Sequence, residues 1–280
     1  MEIICTIADL RQRIAAWRTQ GLRVGLVPTM GGLHEGHLSL VRLASSKTDR
    51  VVATLFVNPT QFAPNEDFEQ YPRDEEADGK LFAGAGAHLV FAPSIEEMYP
   101  EGHVTRVVVN GISDVLEGEF RPHFLGGVAT VVSKLLIQSL PDVAVFGKKD
   151  YQQLCVIRAM VRDLDIPVDI VGGETVREDG GLAMSSRNLY LDENQRAVAP
   201  ALNSALNRIA EAARAGSDVT AACREATDGL IAAGFTKVDY LQLCNSETLV
   251  RLEKLDRPAR VLGAAWLGKI RLIDNIGVFP

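Results

Sequence analysis

PTMGGLHEGH, residues 28–37, is the segment of the sequence with the clearest structural pattern. It follows Arg23–Val27, a short apolar run that predicts a buried strand. Gly31 and Gly32 predict a turn, and the apolar spacing from His34 onward predicts a helix. A strand, a glycine-rich turn and a helix in this order indicate one unit of a parallel sheet.

The alternation of strands and helices continues along the first part of the chain. Further strands are predicted at Val51–Val57, Ala87–Ala92, Val143–Phe146 and Val168–Val171. Helices are predicted at Asp9–Gln20, His34–Ser45, Glu75–Ala85, Val128–Leu140 and Gln152–Leu164. In such sheets ligands bind at the carboxyl ends of the strands, near the point where strand order reverses. The polar segments PTMGG, NPTQF and GKKDYQQ follow three of these strands, so we expect a ligand site there.

The pattern changes near Thr175, where we place a domain boundary that divides the chain into residues 1–175 and 176–280. The second part begins with the Gly- and Ser-rich loop REDGGLAMSSRN. Beyond it we predict a long helix at Glu193–Ala215, a helical piece between Val219 and Gly234, and strands at Val238–Leu243 and Lys269–Ile276. The sequence therefore predicts an α/β domain with a parallel sheet, followed by a smaller α+β domain.

Composition limits the classes of function. The chain has 280 residues, a net charge of -7 and a pI near 5.3, so its overall charge does not favour nucleic acid or an anionic membrane. The four cysteines form no CxxC pair, and no apolar run approaches the roughly 20 residues of a membrane helix. The N-terminus is too charged for a secretory signal, and we expect a cytoplasmic protein.

His34 and His37 are three residues apart at the start of a predicted helix, so their side chains share a face. One interpretation is a zinc site, but zinc proteases space their histidines four apart, and no third ligand is evident. A second interpretation is a phosphate site, because a helix N-terminus offers free N–H groups and a positive dipole. A third is a pair of capping or core histidines. The glycine-rich turn favours phosphate.

Several motifs together resemble one family. PTMGGLHEGH resembles the HxGH signature of the nucleotidyltransferase superfamily, in the form typical of the pantoate–β-alanine ligase family. The resemblance continues, in the family's order, through FVNPTQF, YPR, MYP, LEG, FGKKDYQQL and LAMSSRN. Two departures stand out: Gly32 replaces the usual alanine, and FRPHFLGGV (120–128) replaces a segment that usually contains RPGHF.

The resemblance implies a Rossmann-like N-terminal domain with a small C-terminal lid domain. It implies an AMP-forming ligase that condenses pantoate with β-alanine to give pantothenate, a coenzyme A precursor. The reaction consumes ATP, passes through an enzyme-bound pantoyl adenylate and releases AMP and pyrophosphate. The resemblance also implies Mg²⁺ on the triphosphate and a homodimer, with no nucleic-acid or membrane partner.

Roles for individual residues follow from the matched motifs. The implied catalytic residues, which stabilise the charge on phosphate, are His34, His37, Lys149 and Arg187. The implied nucleotide-binding residues are Met30, Gly36, Gly147, Lys149, Asp150, Val176, Met184, Ser185, Ser186 and Arg187. The implied pantoate-binding residues are Met30, Asn58, Gln61 and Gln153, and the implied Mg²⁺ ligand is Asp78.

Three alternatives remain open from the residues alone. An HxGH nucleotidyltransferase that acts on another small substrate would share the histidine motif. A metallohydrolase would need bound zinc. A nucleotide-sensing module would bind ATP and release no AMP.

Overall fold

The computed structural model describes residues 1–63 and 68–280. The chain forms two compact units. The first comprises residues 1–148 and 152–174, and the second comprises residues 149–151 and 175–280. Within the described ranges, no helix is both long enough and apolar enough to span a bilayer.

The first unit is built on a six-stranded sheet whose pairings are all parallel. Its strands are β1 (Glu2–Ile4), β2 (Val24–Val27), β3 (Arg50–Thr54), β4 (Leu89–Phe91), β5 (Val143–Gly147) and β6 (Asp169–Gly173). They lie in the order β1-β4-β3-β2-β5-β6. The chain runs outward from β2 through β3 to β4, and β5 then pairs on the other side of β2, so strand order reverses between β2 and β5.

Helices cover this sheet. They are α1 (Ile7–Arg18), α2 (Glu35–Ser45), α3 (Glu75–Ala85), α4 (Ile95–Met98), α5 (Glu117–Phe120), α6 (Phe124–Ser139) and α7 (Tyr151–Asp163). Every residue of β2 is buried, as expected for a strand covered on both faces. Val41 and Ala44 of α2 pack with Val27, Val51 and Val145 in one apolar cluster.

The second unit contains an antiparallel sheet in the order β7-β8-β9, with strands β7 (Lys237–Asn245), β8 (Ala259–Leu267) and β9 (Ile270–Val278). Its helices are α8 (Glu193–Val198), α9 (Ala201–Arg214) and α10 (Val219–Ala232). Leu202, Leu206 and Ile209 of α9 are buried against Val261 and Leu272 of the sheet.

The predicted fold class is confirmed, but several elements differ from the predictions. The prediction of a single helix at Glu193–Ala215 is wrong. Helix α8 ends before Pro200 and α9 begins after it, because proline has no N–H to donate in a helix interior. Strands β1 and β8 were not anticipated. The loop at Val176 is partly paired, with a bridge between Arg177 and Ala183.

Candidate active site

The loop after β2 is tied to the end of β3. The Thr29 hydroxyl donates to the Thr54 carbonyl (2.6 Å), and the Thr29 N–H donates to the Thr54 hydroxyl (3.2 Å). The Phe56 N–H then donates to the Thr29 carbonyl (3.1 Å). Both threonines are buried. The PTMGG segment is therefore held over the carboxyl edge of the sheet, beside the position where strand order reverses.

Asp78 of α3 anchors the glycine-rich loop at Gly32 and Leu33. Its carboxylate oxygens accept the N–H of Gly32 (3.0 Å) and that of Leu33 (3.1 Å). Burial raises the pKa of Asp78 above its ordinary value, against the opposing effect of these two hydrogen bonds, which stabilise the carboxylate. Gly31 and Gly32 have φ of 96° and 64°, so the turn uses the left-handed region that favours glycine.

His34 and His37 form a capping pair at the start of α2. His34 is the N-cap residue, and its Nδ1 accepts the N–H of Gly36 (3.1 Å). The His37 Nδ1 accepts the N–H of His34 (3.4 Å), and the ring centroids are 4.1 Å apart. Because Nδ1 of each ring accepts a backbone N–H, the neutral imidazoles carry their proton on Nε2. The capping and phosphate interpretations of this pair are therefore compatible.

A network of buried and half-buried side chains links three motifs of the first unit. Tyr99 donates from its hydroxyl to the Asn58 amide oxygen (2.8 Å), and the Asn58 amide donates to the Gln61 amide oxygen (3.1 Å). The Gln61 amide nitrogen in turn lies 2.9 Å from the Met30 sulfur. Asn58 is 1% and Gln61 7% exposed. Three of the predicted pantoate-binding residues are thus in contact, and Tyr99 is a member that sequence reasoning did not select.

Close backbone approach fixes Gln61 in place. A Cβ added to Gly127 of α6 would lie 2.4 Å from the Thr60 carbonyl oxygen and 2.8 Å from the Gln61 nitrogen. The Gly127 carbonyl also accepts from the Asn58 amide (3.2 Å). The glycine in the atypical FRPHFLGGV segment therefore allows α6 to pack directly on the short 3-10 helix Pro59–Gln61.

The two adjacent glutamines of α7 have different surroundings. Gln152 is buried and donates to the carbonyls of Ile112 (2.8 Å) and Val115 (2.7 Å), and it accepts the N–H of Glu117 (3.0 Å). It therefore supports the loop that carries the LEG motif. Gln153 is half-buried, and within the described part of the chain its side chain forms no hydrogen bond, which leaves its amide for a ligand.

Except for Gly147, the remaining predicted residues belong to the second unit. Lys149 and Asp150 form part of a 3-10 helix after β5, with 3.6 Å between the ammonium and the carboxylate. Gly147, the last residue of β5, belongs to the first unit. In the second unit the Met184 N–H donates to the Val176 carbonyl (3.0 Å), so these two predicted nucleotide contacts lie side by side.

Ser185–Arg187 continues from this pairing into the 3-10 helix Ser186–Tyr190. The Ser185 hydroxyl accepts the N–H of Arg187 (3.3 Å) and caps that helix. Asn188, which is buried, donates to Glu178 (2.8 Å) and to the Ala183 carbonyl (3.1 Å) and fixes the base of the loop. Sequence reasoning selected neither Asn188 nor Glu178, because the hydrogen bond between them depends on how this loop folds back on itself.

Among the described residues, no group of three or more His, Cys, Asp or Glu side chains is arranged to hold a metal ion. Mg²⁺ needs fewer protein ligands than this, because it keeps several waters and takes its other ligands from one or two carboxylates and substrate phosphates. Asp78 could act as such a ligand. Each of its carboxylate oxygens accepts one N–H from the loop and has a second lone pair that could bind the ion. Its role as a Mg²⁺ ligand stays a prediction.

The parallel sheet, with two histidines capping the helix that follows β2, is consistent with the resemblance of the sequence to HxGH proteins. A family model described as pantoate-beta-alanine ligase matches residues 2–277. The chain belongs to the pantoate–β-alanine ligase family, and it is an enzyme, a ligase of that kind.

Relatives named as pantothenate synthetase or pantoate-beta-alanine ligase match this chain over nearly its whole length. The pantothenate synthetase of Paramagnetospirillum magneticum is 58% identical, covering 100% of this chain and 99% of that protein. That of Mesorhizobium japonicum is 55% identical, covering 99% and 98%. The crystal structure of pantothenate synthetase from Thermus thermophilus superposes with a TM-score of 0.92 at 47% identity, covering 100% of both chains. The pantoate-beta-alanine ligase of Francisella tularensis, complexed with beta-gamma ATP and β-alanine, gives 0.82 at 35% identity, covering 99% and 97%.

Proposed function

We propose that this ligase consumes ATP and joins pantoate to β-alanine through a bound pantoyl adenylate, with release of pyrophosphate and then AMP. The complex of the Francisella tularensis ligase with an ATP compound and β-alanine supports this choice of substrates. The observation that carries the proposal is the pair of imidazoles at the start of α2. Because backbone N–H groups occupy both Nδ1 atoms, both rings are hydrogen-bond donors at Nε2.

In the first step the pantoate carboxylate attacks the α-phosphorus and pyrophosphate leaves. Negative charge accumulates on the phosphoryl oxygens in the transition state, and the donors that face those oxygens lower the barrier. His34 and His37 supply two such donors without carrying a charge of their own. Gly36 lies in the first turn of α2, where the helix dipole favours an anion.

The second unit supplies the other nucleotide contacts in this proposal. Lys149 and Arg187 are the cations that neutralise phosphate oxygens, and Ser185 and Ser186 donate hydroxyls to the same group. Asp150 accepts from the ribose hydroxyls, and backbone groups of Gly147 and Val176, with Met184 beside them, bind the rest of the nucleotide. Mg²⁺, with Asp78 as its protein ligand, would neutralise charge on the triphosphate.

Pantoate is proposed to bind in the buried network around Gln61. An amide can hydrogen-bond the hydroxyls and the carboxylate without forming an ion pair, so it does not weaken the nucleophile. Asn58 fixes the orientation of the Gln61 amide, Gln153 provides a second amide, and the Met30 side chain packs on the apolar part of the substrate.

In the second step the neutral amine of β-alanine attacks the acyl carbon of the adenylate, AMP leaves with the bonding electrons and the phosphate charge, and the nitrogen gives up one proton as the amide forms. No covalent enzyme intermediate is needed. We propose that residues 176–280 act as a lid domain that excludes water, because water would hydrolyse the adenylate. We also propose that the enzyme is cytoplasmic and forms a homodimer.

The test is a set of reactions that contain ATP, Mg²⁺, pantoate and β-alanine, with each component omitted in turn. The proposal requires AMP and amide product only in the complete mixture, and pantoate-dependent exchange of labelled pyrophosphate into ATP without β-alanine. AMP release with neither substrate dependence nor amide product would contradict it. Transfer of the nucleotide to another acceptor as the released product would favour the HxGH nucleotidyltransferase alternative.

A further inference from the structure

Two successive polar residues of β9, Asp274 and Asn275, are almost completely buried, each with 4% of its surface exposed. Successive side chains of a strand point to opposite faces of the sheet, so the two reach different partners. Burying polar groups costs free energy unless they are hydrogen-bonded. Neither residue has a part in the reaction proposed above, and their partners indicate a separate role.

Asp274 holds the paired segment that carries Val176 and Met184. Its two carboxylate oxygens accept from the two terminal nitrogens of the Arg177 guanidinium, at 2.7 and 2.9 Å. Arg177 also donates to the Gly181 carbonyl (2.9 Å) on the returning side of the turn. A bidentate pair of this kind fixes orientation as well as distance.

Asn275 holds the segment that carries Lys149. Its amide nitrogen donates to the Lys149 backbone carbonyl (2.8 Å), and its amide oxygen accepts from Arg260. The Arg260 guanidinium carbon lies 3.9 Å from the centre of the Tyr151 ring. The Tyr151 hydroxyl donates to the Ser246 carbonyl (2.8 Å). Contacts from the C-terminal unit therefore hold this segment at Lys149 and at Tyr151, the residues before and after Asp150.

The two anchors are coupled to each other, because the Asn275 N–H donates to the Asp274 carboxylate (2.7 Å). Asn203 of α9 donates to that carboxylate as well (3.0 Å). The adjacent residues Asp274 and Asn275 of β9 thus set the distance between the Lys149 backbone and the segment that leads into Ser185–Arg187. In the proposed reaction both segments bind the same triphosphate.

We propose that Asp274 and Asn275 are positioning residues for the phosphate-binding groups of this ligase, with Asn275 acting through Lys149 and Asp274 through the Arg177 segment. The inference rests on the proposed function, because it takes Lys149 and Arg187 as phosphate ligands. Misplacement of a reacting or binding group by about 1 Å can cost roughly 100-fold in rate, so the anchors bear on turnover.

The decisive variant is Asn275→Asp. The new carboxylate keeps an acceptor for Arg260, but it has no N–H to donate to the Lys149 carbonyl and places an oxygen against that carbonyl. We expect pantoate-dependent exchange of pyrophosphate into ATP to slow roughly 10- to 100-fold. The KM for pantoate should be unchanged, and the melting temperature should stay within about 4 °C of the wild type.

A double-mutant cycle separates positioning from a structural effect. If Asn275 acts through Lys149, then Asn275→Asp should lower the rate little or not at all in the Lys149→Ala background. Should Asn275→Asp fail to fold, Asn275→Leu, which is similar in volume and lacks the donor, serves in the same cycle. Asp239→Asn is the matched control, because Asp239 is a buried acid of the same sheet bound by Lys237 and Arg271, away from both segments. It should lower stability and leave the exchange rate unchanged.

Equal rate losses from the Asn275 variant in the wild-type and Lys149→Ala backgrounds would overturn the inference, as would a wild-type exchange rate in Asn275→Asp. Slowing by Asp239→Asn to the same degree would also overturn it, because the effect would then be general weakening of the sheet. Absence of exchange in the wild-type enzyme would have a different meaning. It would overturn the proposed function, and the inference with it.

Discussion

Gly31 and Gly32 are adjacent, yet a methyl group has different consequences at the two positions. A Cβ at Gly31 would lie 3.0 Å from an oxygen of Asp78 and 3.5 Å from the Pro72 carbonyl oxygen, at a φ of 96°. Gly32 has a φ of 64°, close to the left-handed helical region that L residues visit at a modest cost.

We therefore predict that Gly32→Ala lowers the free energy of unfolding by about 1 kcal/mol and leaves the adenylation rate within about twofold. Gly31→Ala should cost more stability and slow adenylation at least about tenfold, because the methyl displaces the carboxylate that orients the loop before His34. Urea unfolding and pyrophosphate exchange measure the two quantities. Equal effects of both substitutions on the rate would show that Asp78 does not position the loop.

His34 combines a structural and a chemical task in one ring, and the two can be separated. Asn is a favoured N-cap residue whose oxygen can accept the Gly36 N–H, but it offers no donor at the position of Nε2. His34→Asn should thus keep the stability within about 0.5 kcal/mol and reduce adenylation turnover roughly 100- to 1,000-fold. His34→Ala should lose the same activity and a further 1 kcal/mol or so of stability. Near-normal exchange in folded His34→Asn would refute the charge-stabilising role.

At the level of elements, the sequence predicted those with a strong local pattern. Helix α3 lies at Glu75–Ala85 as predicted, because Asp74 caps its start and Gly86 ends it in the left-handed region. Strand β1 could not be predicted, since it is three residues long, largely exposed, and formed only by pairing with β4. Strand β8 is rich in alanine, and its Gly263 packs where a Cβ would lie 2.6 Å from a Leu241 methyl.

The same limit applies to the site. The motifs selected Gln61 and the two histidines, whose residue types carry the chemistry. They could not reveal that Gln152 supports a loop while the neighbouring Gln153 side chain forms no hydrogen bond with the described residues, because that difference depends on the direction of each side chain on α7. Tyr99 and Asn188 escaped selection because their hydrogen bonds, to residues 41 and 10 positions away, depend on how the chain folds back on itself.

The contact of α6 with the 3-10 helix Pro59–Gln61 gives a prediction about substrate binding. Gly127→Ala places a methyl 2.4 Å from the Thr60 carbonyl oxygen, so the short helix must move and carry Gln61 with it. We expect the KM for pantoate to rise at least about tenfold, with a smaller change in the KM for ATP. Gly84→Ala is the control, because its Cβ would meet nothing within 4 Å. A proportional rise in both KM values would contradict this interpretation.

Asp239 gives a prediction about pH for the C-terminal sheet. Its side chain is 1% exposed at an irregularity of β7, and its carboxylate accepts from Trp266 of β8 (3.0 Å) and Arg271 of β9 (2.8 Å). Burial by itself raises the pKa of Asp239, but the hydrogen bonds from Lys237, Arg271 and Trp266 together bring it below its ordinary value.

A pKa that is lower in the folded than in the unfolded chain stabilises the fold at pH values above the unfolded pKa, and this contribution is lost as pH falls through the folded pKa. Asp239→Asn should therefore lower the free energy of unfolding by about 2 kcal/mol at pH 7, because the amide cannot accept from all three donors. The difference from the wild type should shrink below about pH 4. Denaturant titrations from pH 7 to pH 3 measure it, and a difference that does not change with pH would count against the ionised carboxylate.

At the level of the whole molecule, the chain passes between the two compact units at residues 148–149, 151–152 and 174–175. Three residues that lie between β5 and the body of α7 in sequence therefore complete the C-terminal unit. They also contain Lys149 and Asp150, two of the residues proposed to bind the nucleotide. The second unit thus includes three residues that lie, in sequence, between elements of the Rossmann-like first unit.

This dependence predicts where the molecule loosens when Tyr151 is changed. Tyr151→Phe removes the hydrogen bond to the Ser246 carbonyl and should cost about 1 kcal/mol, and Tyr151→Ala also removes the ring that lies 3.9 Å from Arg260. Hydrogen exchange should accelerate at the amides of β7 and β8, more in the alanine variant than in the phenylalanine variant. The amides of β2 and β3 should keep their protection, since the first unit has its own core. Equal acceleration in both sheets would mean that residues 149–151 stabilise the molecule as one cooperative body, and the assignment of this segment to the C-terminal unit would then be wrong.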